Sequence, residues 1–158
     1  MTKTHAFNPT ISEILDAFFA SYKPTAGKVV RARIELARLH LARQIETEGP
    51  RELTTPQLAI VETERQFSPS DAVARTMRGP ELYYVLGTYL RPEYAMDGLL
   101  QRETQLDLIA AIHGWLWQYR LIGGAQLDEC AVIEYDIWMR RARDEVRKAR
   151  REGSGAKF

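Results

Sequence analysis

The stretch TQLDLIAAIHGWLWQYRL, from Thr104 to Leu121, decides the fold class that this sequence predicts. At 3.6 residues per turn it places apolar side chains on two sides of one helix. One stripe contains Leu106, Ile109, His113, Leu116, Trp117 and Arg120, and the other contains Leu108, Ile112, Trp115 and Tyr119. A helix that is apolar on two sides is covered on both, so we expect it at the centre of a helical domain or shared with a second subunit.

Signals for the start and the end of a helix recur along the rest of the chain. Thr10-Ile11-Ser12-Glu13 and Thr54-Thr55-Pro56-Gln57 are capping boxes, in which a threonine and an acidic or amide side chain satisfy the first amides of a helix. Ser68-Pro69-Ser70-Asp71 has a similar composition and predicts the start of a helix that reaches about Met77. Predicted breaks lie at Pro24, Gly49-Pro50, Gly79-Pro80, Pro92, Gly98 and Gly123-Gly124.

The chain from about Gln126 onward predicts a long C-terminal helix. Its apolar residues are spaced by three or four and form one seam that could pack against a partner helix. The seam contains Leu127, Ala131, Tyr135, Trp138, Ala142, Val146 and Ala149. Residues 133–137 also alternate like a strand, but we favour the helix because a lone strand has nothing to pair with. The sequence predicts an all-α fold: a single compact multi-helix domain over residues 1–152, followed by a flexible tail at 153–158.

Charge is distributed unevenly along the 158 residues, whose net charge is only +1. From Arg140 to Phe158 the chain has eight basic and three acidic residues, so this end carries +5 and the preceding part carries −4. The N-terminus lacks the apolar run of a signal peptide, and no apolar stretch reaches the roughly 18 residues of a membrane span. We expect a cytoplasmic protein with no membrane association.

Enzyme and metal chemistry find little support in the sequence. The three histidines, His5, His40 and His113, form no cluster with ligand spacing. Cys130 is the only cysteine, and we expect it to be a small buried apolar residue rather than a nucleophile. We therefore expect a non-enzymatic protein with no catalytic residues, no metal and no cofactor.

Three consecutive short helices, predicted at about 55–66, 69–78 and 80–90, carry the main functional signal. Their lengths are typical of a helix-turn-helix, here spanning 54–91, in which the third element lies in the DNA major groove. The same three helices are equally consistent with core helices of a bundle.

The segment from Glu52 to Arg102 resembles MarR-type winged helix-turn-helix regulators. Leu53-Thr54-Thr55-Pro56-Gln57 matches the Leu-Thr-x-x-Gln start of one helix of that family, and Ser68-Pro69-Ser70 matches the start of the next. Gly98-Leu99-Leu100-Gln101-Arg102 is similar to the residues that enter the family's wing, but the helix predicted after Arg102 leaves no room for the wing itself. The resemblance implies a DNA-binding regulator in which residues 80–90 form the recognition helix.

We predict a dimeric DNA-binding protein, either a transcriptional regulator or an accessory factor, that associates through its N- and C-terminal helices. Base contacts are expected from the third short helix, and phosphate contacts from the basic second helix and the basic end. The candidate residues are Arg31, Arg38, Arg78, Tyr83, Tyr84, Thr88, Arg91, Arg140, Arg141 and Arg147.

The alternative is a helical protein–protein interaction or assembly protein with no role on nucleic acid. The long C-terminal seam and the two-sided helix at 104–121 favour it. Continuity of the basic residues on one face of the folded chain would favour DNA binding, and their dispersal would favour assembly.

Overall fold

Seven α-helices and two short 3-10 helices make up the part of the chain that this computed structural model describes, residues 8–22, 27–122 and 127–155. The α-helices are α1 (Ile11–Ser21), α2 (Lys28–Thr47), α3 (Thr55–Phe67), α4 (Ala72–Thr76), α5 (Gly79–Tyr89), α6 (Leu99–Gln118) and α7 (Glu129–Gly155). The 3-10 helices are Gly49–Glu52 and Pro92–Tyr94. Extended pairing within the described residues is limited to one isolated bridge between Thr10 and Arg78. The predicted all-α class is confirmed.

Both predicted capping boxes are present. The hydroxyl oxygen of Thr10 accepts a hydrogen bond from the amide of Glu13 at 3.2 Å, and the Glu13 carboxylate accepts one from the amide of Thr10 at 3.2 Å. Thr54 and Gln57 form the same reciprocal pair at the start of α3. These two helices begin where the sequence predicts because the cap depends only on residues three positions apart.

The fourth helix is shorter than the sequence predicts. Ser68 ends α3, since its amide donates to the carbonyl of Glu64, and α4 begins only at Ala72. Asp71 lies in the left-handed region with φ of 58° and makes no side-chain cap, so the Ser68–Asp71 segment is a turn and not a helix start. The predicted helix at 69–78 is therefore reduced to one of five residues.

The sixth helix begins earlier than the sequence predicts. It starts at Leu99, five residues before Thr104, directly after Gly98, whose φ of 88° suits glycine. The residues that resemble a wing entrance are thus the first turn of α6. The predicted breaks at Pro24 and at Gly123-Gly124 lie outside the described residues.

The C-terminal segment is one helix of 27 residues, α7. Residues 133–137 are helical, as favoured, and the helix continues through Gly153 and Ser154 to Gly155. The predicted flexible tail at 153–158 is thus helical up to Gly155, and Ala156–Phe158 lie outside the described residues. The predicted seam faces α5 and α6 of the same chain, with Tyr135, Ala142 and Val146 buried.

The core forms where α5 and α6 meet the surrounding helices. Helix α6 contributes Leu106, Leu108, Ile109, Ile112 and Leu116, all at most 1% exposed. Its two predicted apolar stripes are buried along most of the helix by contacts within the chain, chiefly with α2 and α7, but Trp117, Tyr119 and Arg120 at its C-terminal end are exposed. Helix α5 contacts α1, α2, α6 and α7, which makes it as central as α6.

Candidate functional site

The predicted recognition helix is a core helix. All eleven residues of α5, each within the described part of the chain, are buried or half-buried. A recognition helix must present an exposed face to enter the major groove. The helix forms as predicted, but none of the residues 80–90 is exposed in this structure.

The individual base-contacting candidates on α5 are already engaged inside the protein. Tyr83 is 1% exposed, so its side chain does not reach the surface. Half-buried Tyr84 accepts a hydrogen bond from the amide of Asp128 at 3.3 Å. Half-buried Thr88 donates to the Glu52 carboxylate at 3.1 Å.

These residues line a small groove between α5 and α7. The groove has a volume of about 110 Å³, well below the roughly 300 Å³ at which ordinary ligand sites begin. Its walls are Glu52, Tyr83, Tyr84, Gly87, Thr88, Arg91, Ala131 and Glu134. The two carboxylates would repel a phosphate, so the groove does not suit a nucleic-acid backbone.

Arg91 and Arg141 are brought together by a tryptophan rather than by an anion site. The Arg91 guanidinium carbon lies 5.8 Å from the centre of the Trp138 ring, and that of Arg141 lies 5.2 Å from it. Both distances are in the range of a cation–π contact. This arrangement joins the end of α5 to α7.

The remaining basic candidates are dispersed. The Arg38 guanidinium lies 4.5 Å from the centre of the Phe19 ring and so packs on α1. Arg78 donates to the carbonyl of Asn8, at the other end of α5 from Arg91 and about 20 Å from it along a helical rise. Arg31 is exposed on α2. The predicted DNA-binding residues are thus divided among α2, α5 with the residues that flank it, and α7.

The basic end of the chain is partly neutralised by α6. Arg143 donates to the Asp107 carboxylate at 2.7 Å, and Arg150 donates to Glu103. These contacts tie α7 along α6. Arg140, Arg141 and Arg147 remain exposed on the opposite side of α7, where Arg147 also pairs with Asp144 of its own helix at 2.9 Å.

A buried polar cluster lies at the junction of α5 and α6. The Arg102 guanidinium, 7% exposed, donates to the carbonyl of Leu90 at 3.1 Å and to the Gln105 amide oxygen at 2.9 Å. Gln105 also accepts from the amide of Met96 and donates to the carbonyl of Tyr94. Burial lowers the pKa of Arg102, while Glu145 raises it. These hydrogen-bonding partners of Arg102 and Gln105 are all backbone groups or the other residue of the cluster. The cluster therefore holds the segment between α5 and α6 against α6.

Two histidines, His40 and His113, lie within the described residues, and each contacts aromatic side chains. His113 stacks on Tyr135 with ring centres 3.9 Å apart and accepts from the Trp117 indole nitrogen at 3.2 Å. His40 lies 2.5 Å from the Tyr89 hydroxyl through Nδ1. Burial lowers the pKa of both histidines, so each favours its neutral form.

Cys130 is exposed, which corrects its expected burial. Among the residues that the structure describes, no group of three or more histidine, cysteine or carboxylate side chains is placed to hold a metal ion.

Helix α2 carries an exposed apolar stripe that the sequence analysis passed over. Val29 is 65% exposed, Leu36 is 54% exposed and Leu39 is 58% exposed, with exposed Ala32 between them. Their spacing of three, four and three places them on one line of the helix, opposite the buried Ala37, Leu41 and Ile45. The sequence contains this stripe as a second set of helically spaced apolar residues, on a helix that has another such set facing the core.

Helix α7 has a second exposed stripe, opposite its buried seam. Ile133 is 57% exposed and Ile137 is 42% exposed, and exposed Cys130 precedes them by one turn. Such apolar side chains in a row on a helix are typical of contact with another protein.

Comparisons with protein families, with curated proteins and with solved structures find no match to this chain. In the described ranges, none of the helices has the length and apolar character needed to cross a bilayer.

Proposed function

We propose that the protein is a non-enzymatic helical assembly protein, which forms a defined oligomer through exposed faces of its helices. The observation that carries the proposal is the pair of apolar stripes on α2 and α7, on the outside of helices whose opposite faces already fill the core. Exposed apolar side chains aligned over several turns lose contact with water when a second helix covers them.

The dispersal of the basic residues supports assembly over sequence-specific DNA binding. Arg38, Arg78 and Arg91 lie against α1, Asn8 and Trp138 respectively. The base-reading positions are enclosed between α5 and α7. Most of the C-terminal seam and most of the two-sided central helix are covered within one chain, so the case for an oligomer rests on other faces.

DNA binding stays a second candidate because of one specific surface. Arg140, Arg141, Arg147, Lys148 and Arg151 are exposed on the outer side of α7, and a row of guanidinium groups suits phosphates without regard to sequence. Such binding would be an accessory activity, without a base-reading helix.

The test of the assembly function is the particle mass in solution. Size-exclusion chromatography coupled to light scattering, from low to high micromolar chain, should give a whole multiple, two or more, of the 18.1 kDa chain mass. A mass of one chain throughout that range would overturn the proposal.

A further inference from the structure

The outer side of α7 is a stripe with coiled-coil spacing along most of the helix. It runs through Cys130, Ile133, Ile137, Arg140, Asp144, Arg147 and Arg151, at intervals that alternate between three and four residues. Along the helix axis the stripe is about 32 Å long. The buried seam of the same helix lies on its other side, against α5 and α6, so the stripe is available to a second helix.

The charges along the helix are unevenly distributed. The charged residues that the first turns of the segment expose are all acidic, Asp128, Glu129, Glu134 and Asp136, whereas on the later turns the exposed basic residues Arg140, Arg141, Arg147, Lys148 and Arg151 outnumber the three exposed acidic residues Asp144, Glu145 and Glu152. Two copies aligned in parallel would place like charges together, which is unfavourable. Two antiparallel copies would place the acidic turns of each beside the basic turns of the other.

We propose that the outer side of α7 pairs antiparallel with the same surface of a second copy of this chain, with the two-fold axis near Ile137. This rests on the proposed assembly function and specifies its interface. The axis brings Ile137 against Ile137 of the second copy. Ile133 then packs on the aliphatic stem of Arg141 of the second copy, as long basic side chains allow.

The same register brings opposite charges near one another along the stripe and its flanks. Glu134 comes within one residue of level with Arg141 of the second copy, and Asp136 and Glu129 come within two residues of its Arg140 and Arg147, offsets of about 1.5 to 3 Å along the axis that these side chains can span. Each contact occurs twice because the arrangement is isologous. The Arg147–Asp144 pair within one chain has side chains that are more than three-fifths exposed, and exposed pairs of this kind contribute little, so Arg147 can exchange partners.

The distribution of charge favours pairing with a second copy through α7 and does not favour it through α2. Along the α2 stripe, Lys28, Glu35 and Arg43 alternate in sign, so no direction of self-pairing is favoured. The difference in net charge between the first and the later turns of α7 is what favours antiparallel pairing with a second copy.

The decisive experiment is a charge exchange between two positions that cannot meet in one chain. Glu129 and Arg147 are about 27 Å apart along α7. Glu129→Arg and Arg147→Glu should each raise the dimer dissociation constant by about tenfold, and the double variant should recover most of the loss. Sedimentation velocity measures the constants, and circular dichroism confirms that each variant folds.

A matched pair of apolar substitutions locates the contact. Ile137→Glu should give a folded monomer, whereas Ile60→Glu, at a position on α3 that is 53% exposed, should keep the wild-type mass. An oligomer that survives Ile137→Glu but is lost in Leu36→Glu, or single charge reversals that the double variant does not rescue, would overturn this interface and leave the assembly function standing. A wild-type chain that is monomeric throughout would overturn both.

Discussion

Two tyrosines of α5 are equally buried and differ only in what their hydroxyls meet. Tyr83 is 1% exposed and Tyr89 is 2% exposed. The Tyr89 hydroxyl lies 2.5 Å from His40 Nδ1, whereas the buried Tyr83 hydroxyl has no hydrogen-bonding partner among the described residues. Burial raises the pKa of Tyr83 to about 12 and also raises that of Tyr89, so both remain protonated at neutral pH.

Removing the two hydroxyls should have different effects on stability. We expect Tyr89→Phe to lower the free energy of unfolding by about 1 kcal/mol, because it breaks a hydrogen bond and leaves the His40 ring nitrogen unpaired. Tyr83→Phe should leave it unchanged or raise it slightly, because a buried hydroxyl without a partner costs free energy. Urea denaturation of the two variants measures the difference, and equal losses would contradict it.

Two glycines of α5 differ in how much room the surrounding atoms leave for a side chain. A Cβ at Gly79 would overlap the backbone carbonyl of Leu121, and one at Gly87 would meet no atom within 4 Å. The start of α5 therefore touches the segment that follows α6 at a distance that only glycine permits, and Gly87 has no such constraint.

Alanine at the two positions should shift stability in opposite directions. Gly79→Ala should lower the free energy of unfolding by about 2 kcal/mol or more, because backbone atoms must move apart. Gly87→Ala should raise it by up to roughly 1 kcal/mol, because alanine is the better helix former. Thermal unfolding followed by circular dichroism distinguishes them, and a stabilised Gly79→Ala would show that the close approach is absent.

Sequence patterns predicted which segments form helices better than they predicted what each helix packs against. The caps at Thr10 and Thr54 depend on neighbouring residues, so they could be placed from sequence alone. The early start of α6 could not, because it depends on Arg102 and Gln105 reaching backbone groups of the preceding segment. The same applies to α5, whose cover by α7 comes from a helix about 50 residues later in the chain.

The candidate site was less predictable than the fold. Arginines that are near in sequence are separated in space, since Arg143 turns to Asp107 while Arg147 stays exposed. On α2 and α7 the apolar residues form sets on two sides of the helix, and their spacing alone does not tell which side is buried. The exposed stripes can be identified only once the buried side is known.

The exposed basic side chains on the outer side of α7 lead to a prediction about DNA binding by the whole molecule. We expect duplex DNA to bind weakly, without sequence preference, and with an affinity that falls steeply with salt. Replacing by Gln the exposed residues Lys148 and Arg151, which lie beyond the paired segment of α7, should reduce the slope of log affinity against log salt by about two, because each exposed basic side chain releases about one counterion. Fluorescence anisotropy with labelled duplexes measures the slope.

The matched control replaces Arg143 and Arg150, which are held by carboxylates of α6, and it should leave the slope unchanged. Strong preference for one duplex sequence, weakened by Thr88→Ala in a folded protein, would contradict the enclosed position of α5.

The buried cluster at Arg102 and Gln105 also bears on whether the chain must be continuous. The segment that precedes the short connection to α6 is held by hydrogen bonds with Arg102 and Gln105 of that helix, through the carbonyls of Leu90 and Tyr94 and the amide of Met96. A backbone cut between Asp97 and Gly98 would leave these bonds and the buried face of α6 in place. The two parts of the chain would then be held together by packing and hydrogen bonds alone, without the peptide bond at 97–98.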